Sequence, residues 1–275
     1  MTFADSVNEF AGAALIKRQK LRSDPLGYLV LSMMAGAYVG LGILLIFSVG
    51  QGVEAGIRPV VMGASFGIAL ILVIFAGSEL FTGQTMYMTH GVLTRRTSLR
   101  DLGACWGASW LGNLLGAVLL AVFFVYGGGG LVLNIGDTSL LHTVAEKKMH
   151  GSGLSLFLNG ALCNWLVCLA IWSASRITNE MARMVIIWFC LYAFIAAGFE
   201  HSVANMTVFS VALLSDHPDT ITTGLALRNL VFVTLGNVFA GVVIMGGGYW
   251  IAAGRPLAPS TPARDAAADG PSQPV

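Results

Sequence analysis

Gly77-Ser78-Glu79-Leu80-Phe81-Thr82-Gly83 and Gly198-Phe199-Glu200-His201-Ser202-Val203 each set an ionisable residue inside a long apolar run, directly after a glycine step. Ionisable groups deep in a bilayer are costly and mark a pathway by default. Backbone that leaves the helix at that depth is tolerated only where it is buried in protein or lines a cavity. The two stretches therefore predict discontinuous helices with a loop near the midplane. Their half-helix N-termini would point inward and offer N–H groups to an anion.

The runs that contain them, Pro59 to His90 and Arg183 to Leu214, are each too long for one straight span of about 20 residues. Four ordinary apolar segments flank them, at Pro25–Val49, Leu102–Tyr126, Leu154–Ala174 and Leu225–Ala252, with a more polar stretch from Asn134 to Ser152 between the halves. The expected fold is an all-α polytopic membrane protein with six transmembrane helices, the second and fifth broken. Composition agrees: 56% of the residues are hydrophobic and only 11% charged, well under the roughly 25% charge of soluble domains. A formal net charge of +1, with no basic stripe along one face, gives no reason to expect nucleic acid.

Residues 25–252 read as a single transmembrane channel domain in contact with membrane lipids. Residues 1–24 precede it as a cytoplasmic amphipathic helix or a plain disordered leader, with Asp5 and Glu9 arguing against a cleaved signal. Residues 253–275, rich in Pro, Ala and Asp, read as a disordered cytoplasmic tail. Orientation follows from basic residues. With the N-terminus inside, Lys17, Arg18, Lys20, Arg22, Arg95, Arg96, Arg100, Arg176, Arg183, Arg255 and Arg264 are cytoplasmic, and only Arg58, Lys147, Lys148 and Arg228 lie outside. Both termini are then cytoplasmic.

The halves match weakly but in order. Ala35-Gly36-Ala37 and Leu111-Gly112-Asn113-Leu114 recur 124 positions later as Asn159-Gly160-Ala161 and Leu235-Gly236-Asn237-Val238, and the glutamate motifs recur at 121. Three spans per half place the second half in the membrane upside down. This predicts an inverted 3+3 repeat over about 25–126 and 154–252.

His201 is the one histidine expected at depth, with His90, His142, His150 and His217 assigned to ends or loops. Its imidazole titrates near neutral pH, and Thr82, taken as the matching point of the other half, supplies a hydroxyl at the same level. Glu79 and Glu200 would repel an anion, so each is expected to accept backbone N–H bonds and hold its loop in shape. Asn113, Asn159, Asn164, Asn205 and Asn237 are natural partners in the bundle. Lys148 is read as an anion attractor at the outer mouth or an ordinary solvated lysine. Cys105, Cys163, Cys168 and Cys190 all fall in apolar segments with no zinc-site spacing. No metal, cofactor or enzymatic constellation is expected.

Gly77–Gly83, Gly160-Ala161-Leu162-Cys163-Asn164-Trp165 running on to Trp172, and Gly198–Thr207 resemble the formate–nitrite transporter family. Ala35–Gly42 and Thr234–Asn237 resemble its nitrite branch. The resemblance spans Pro25 to Ala252. It implies an aquaporin-like homopentamer in the bacterial inner membrane, with one pore per protomer and a central hole that does not conduct the substrate. It implies Thr82 and His201 facing each other between two apolar constrictions, the outer formed by Phe66, Phe81 and Phe194 and the inner by Leu70, Leu80 and Val167. Lys148 would stand at the outer mouth, with Glu200 and Asn164 organising the histidine. The cargo implied is nitrite, with protons as a possible companion, and formate or another small monovalent anion as the alternative. Phe199, in place of a tyrosine, matches the formate branch, and Lys147 adds a second charge beside Lys148.

Overall fold

The computed structural model describes residues 2–134 and 139–257; the tail beyond 257 lies outside them. The described chain is helical throughout. Helix α1 (Phe3–Ser23) starts at a reciprocal cap, in which the Asp5 amide donates to Thr2 Oγ1 at 3.1 Å and the Thr2 amide donates to Asp5 Oδ2 at 2.8 Å. Asp24 ends that helix and caps the next, α2 (Pro25–Gly50), whose first-turn proline needs no hydrogen-bond partner. There follow α3 (Arg58–Phe66), α4 (Ile68–Phe75), α5 (Phe81–Leu93) and α6 (Leu99–Tyr126). The short α7 (Gly130–Leu133) follows α6, and α8 (Leu140–Met149) lies in the polar stretch between the halves, where no helix was expected. The second half comprises α9 (Gly153–Ser175), α10 (Glu180–Ala196), α11 (Ser202–Leu214) and α12 (Thr223–Phe239), then a π-helical turn (Ala240–Gly247) and α13 (Gly248–Ala252).

Among the described residues, five stretches are long and apolar enough to cross a membrane: Pro25–Gly50, Arg58–Phe75, Leu99–Tyr126, Gly153–Ser175 and Thr223–Ala252. The shorter apolar α11 adds to them. The distribution of side chains suits lipid outside and polar groups inside. Leu111, Phe123, Leu227, Val231 and Leu235 are exposed, whereas Thr82, Gln84, Asn113, Asn164, Asn229 and Asn237 are fully buried. With no hydrophobic force between helices in lipid, close backbone approach takes its place. At the α2–α6 crossing a Cβ on Gly116 would stand 1.9 Å from the Met33 carbonyl oxygen, so only glycine fits.

The second and fifth segments are broken where expected. Residues 76–80 separate α4 from α5, and residues 197–201 separate α10 from α11. Each break turns on a glycine in the left-handed region, Gly77 at φ 74° and Gly198 at φ 75°, which costs a glycine little and any side chain more.

Two readings are sharpened here. Residues 1–24 were read as an amphipathic helix or a disordered leader; the structure has the helix α1, packed on the bundle with Val7, Phe10, Ala11 and Ala14 buried and Phe10 stacked on Tyr87 and Trp172 at 4.9 and 5.2 Å. His90 does sit at an end, in the last turn of α5, yet it is not exposed there. It is wholly buried in α5 between Phe10 and Trp172, because α1 covers what the linear sequence presents as a helix terminus.

Candidate functional site: a buried Thr82–His201 contact between two vestibules

The two broken loops are braced alike. Asn113 of α6 accepts the Phe81 amide on Oδ1 at 2.9 Å and donates through Nδ2 to the carbonyls of Ser32 (2.7 Å) and Glu79 (3.0 Å). Asn237 of α12 accepts the Ser202 amide at 3.0 Å and donates to the carbonyls of Gly160 (2.8 Å) and Glu200 (3.1 Å). One amide side chain thus satisfies two backbone groups of each break, groups that would be costly unpaired, and ties the loop to a carbonyl of a neighbouring helix, Ser32 of α2 or Gly160 of α9.

The glutamates do something other than expected. Their carboxylates take lysines and side-chain amides, not backbone N–H groups. Glu200 meets Lys148 Nζ at 2.9 Å on one oxygen and Asn205 Nδ2 at 2.6 Å on the other. Glu79 meets Lys17 Nζ at 2.6 Å and also accepts from Gln84 Nε2. The backbone work falls to the asparagines because their amides both donate and accept, whereas a carboxylate only accepts. Lys17 belongs to no expected site. Its signal was present, since it heads the basic cluster before the first span, but nothing in the linear sequence joins it to a residue 62 positions away.

Between these ion pairs Thr82 Oγ1 lies 3.1 Å from His201 Nε2, with Thr82 wholly buried and His201 nearly so. His201 Nδ1 accepts the Ala204 amide at 3.1 Å, making the imidazole the cap of α11. An amide can only donate, so Nδ1 carries the lone pair. In a neutral ring the proton is then on Nε2, which donates to Thr82 Oγ1 and leaves the threonine's own O–H proton available to another acceptor. Thr82, taken above as the matching point of His201, is not its mate in the other half, in keeping with the 121-residue offset of the two motifs. Phe81 and Ser202 occupy equivalent positions, which makes Leu80 the counterpart of His201 and Val203 that of Thr82.

Asn164 of α9 fixes the threonine from behind, its Nδ2 donating to the carbonyls of Thr82 (3.3 Å) and Asn237 (2.6 Å) and to Thr85 Oγ1 (3.0 Å). A cavity of about 610 Å³ on the α8 side is lined by Lys148, Phe194, Glu200, His201 and Asn205 among others. A second of about 330 Å³ on the α1 side is lined by Lys17, Glu79, Leu80 and Gln84 among others. Phe66 packs edge-on against Phe194 with ring centroids 5.4 Å apart, and Phe194 stacks on His201 at 5.9 Å. Phe81 instead packs edge-on against Trp106. Leu70, Leu80, Phe81 and Val167 are all buried, and Leu80 lines the second cavity. All four cysteines are free and buried.

An interior of paired charges and hydrogen-bonded amides, wrapped in apolar helices and opening through a cavity on each side, defines a membrane transport protein rather than an enzyme. The formate/nitrite transporter family model matches residues 8–251, and the chain belongs to that family. It is 50% identical to the nitrite transporter NirC of Escherichia coli (strain K12) over 259 residues, 93% of this chain and 96% of that one. Among solved structures it is similar to an FNT family ion channel, with a TM-score of 0.88 and 51% identity over 90% of this chain and 98% of that chain. It also resembles a pentameric formate channel with formate bound, with a TM-score of 0.69 and 26% identity over 82% of this chain and 96% of that chain.

Proposed function

We propose that the protein carries nitrite across the bacterial inner membrane through one pore in each protomer of a homopentamer. In this reading residues 25–252 form a single aquaporin-like channel domain of six spans in an inverted 3+3 repeat. Both termini are cytoplasmic, so the α8 vestibule faces out and the α1 vestibule faces in. The observation that carries the reading is the buried Thr82–His201 contact, reached from the α8 vestibule at His201, in a protein whose two vestibules each hold a Lys–Glu pair. The pentamer and the cargo rest on the relatives: one is titled a nitrite transporter and another a pentameric formate channel.

A monovalent anion entering dry hydrocarbon faces a penalty of order 20 kcal/mol before the protein compensates it. Lys148 and Lys17 gather the anion at the two mouths, while Glu200 and Glu79 hold those ammonium groups in place. At two constrictions, the outer at Phe66, Phe81 and Phe194 and the inner at Leu70, Leu80 and Val167, the anion gives up water. The Thr82 hydroxyl and the positive ends of α5 and α11 replace part of that hydration. His201 governs the charge or protonation of the cargo: Nε2–H polarises Thr82, and a proton placed on the anion would make it a neutral acid that crosses apolar surface far more cheaply. For His201 to gain a second proton, Nδ1 must release the Ala204 amide. Protonation of the cargo and the capping of α11 are therefore coupled.

The test is flux through purified protein in proteoliposomes, comparing nitrite, formate, nitrate and chloride at controlled pH and voltage. Nitrite is expected to move fastest, with a pH dependence that changes when His201 is replaced. Formate outpacing nitrite would establish the alternative cargo, and identical flux and pH profile in His201→Phe would remove the histidine's role. Matched proton movement would mean coupling, and current without pH change would mean uniport.

A further inference from the structure

The two vestibules are built alike but not finished alike. On the α8 side the ion pair belongs to a closed ring. Lys148 Nζ contacts Glu200 Oε1 at 2.9 Å, and Glu200 Oε2 accepts from Asn205 Nδ2 at 2.6 Å. Asn205 Nδ2 also donates to Asn229 Oδ1 at 2.9 Å, and Asn229 Nδ2 donates to the Lys148 carbonyl at 2.8 Å. The ring returns to the residue it started from, binding Lys148 by its ammonium and by its backbone. That carbonyl lies in the last turn of α8, where helical partners run out. Asn229, on α12, is wholly buried and does not line the vestibule.

No such ring closes on the α1 side. The position equivalent to Asn229 is Cys105, and Gln84 Oε1, which would continue the chain, has no hydrogen-bond partner although it is buried. Lys17 is held by Glu79 and by the docking of α1.

We infer that Asn229 is the positioning residue for Lys148, fixing both the α8 terminus and, through Asn205, the carboxylate that aims the ammonium into the vestibule. Capture of an anion from the α8 face then depends on Asn229, although Asn229 does not touch the anion; capture from the α1 face does not. The inference rests on the transport function proposed above. The physical reason is pre-organisation. A lysine has four flexible bonds, and an ammonium held in place by a fixed ring loses less entropy when it meets an anion than one that must first be ordered.

The experiment measures the half-saturating concentration for entry from each face separately, in vesicles of defined orientation, for the wild type, Asn229→Ala, Lys148→Ala and the double variant. The anion used is the one the wild type carries, so a wild type that moves formate and not nitrite corrects the cargo and leaves this test intact. Loss of the two hydrogen bonds of the Asn229 amide should raise half-saturation from the α8 face by about five- to tenfold and leave entry from the α1 face unchanged. Because Asn229 acts through Lys148, the double variant should be no worse than Lys148→Ala. Equal losses from both faces would mean a general packing defect and overturn the inference. So would an additive loss in the double variant, or no change in Asn229→Ala.

Discussion

The Ala204 amide donates to His201 Nδ1 at 3.1 Å, so the imidazole that faces Thr82 is also the residue that starts helix α11. One ring serves the pore through Nε2 and the scaffold through Nδ1, and the two roles can be separated by substitution.

Asparagine is a good helix cap but cannot reproduce Nε2–H toward Thr82, and phenylalanine can do neither. His201→Asn should therefore keep nearly the stability of the parent, while His201→Phe should lose about 0.5–2 kcal/mol, the usual worth of a cap. Both should lose flux. Thermal unfolding of the purified proteins, read beside transport, distinguishes the two effects. A phenylalanine variant as stable as the asparagine variant would show that the cap contributes nothing.

Gly198 has φ 75° and Gly77 φ 74°, and a Cβ at either position would meet no atom within 4 Å. Space is open, so an alanine is opposed only by its own backbone preference. Gly198→Ala and Gly77→Ala should each lower stability by about 1–2 kcal/mol, the cost of holding an L-residue in the left-handed region. The two losses should be similar because the two loops share one geometry. Denaturation midpoints of the single variants test this, and a much larger loss at one position would point to a contact absent at the other.

His142 of α8, outside the spanning helices, is half-buried, with Ser139 Oγ 2.8 Å from Nδ1 and Ser215 Oγ 2.9 Å from Nε2. Burial first, and then the nearby His217, push its pKa below the ordinary histidine value, against smaller opposing effects from the Ala212 backbone and Asp216. The unfolded chain therefore binds this proton more readily than the folded one. The stability that neutral His142 contributes is full above about pH 6.5 and declines as the pH falls through that value toward the depressed folded one. Thermal stability should fall on acidification below about pH 6.5, and His142→Gln should flatten the slope. An unaltered slope in that variant would assign it to other groups.

Much of the site was legible because its signals are local. The glycine step before Glu79 or Glu200 marks a broken helix wherever it occurs in an apolar run, and the structure breaks both segments there. The roles of the polar residues were less legible, because a residue type does not specify its partner. Glu79 could have accepted backbone amides or a lysine, and only the docking of α1 brings Lys17 to it. The burial of His90 was hidden for the same reason: it lies in the last turn of α5, as its place at the end of an apolar run indicates, and becomes interior only when Phe10 and Trp172 close over it. The π-helical turn at Ala240–Gly247 left no periodic trace, since one shifted hydrogen-bond pattern within an apolar helix changes no residue's hydropathy.

Hydropathy and spacing alone were enough for a helical, lipid-embedded chain with two interrupted segments, because the absence of water dictates which residues face outward and how long each span must be. Folding alone decided which distant groups meet: Lys17 with Glu79, Asn229 with the Lys148 carbonyl, and His201 with Thr82. Those contacts join residues far apart in the sequence, and their distances follow from how the helices pack, which no local pattern along the chain encodes.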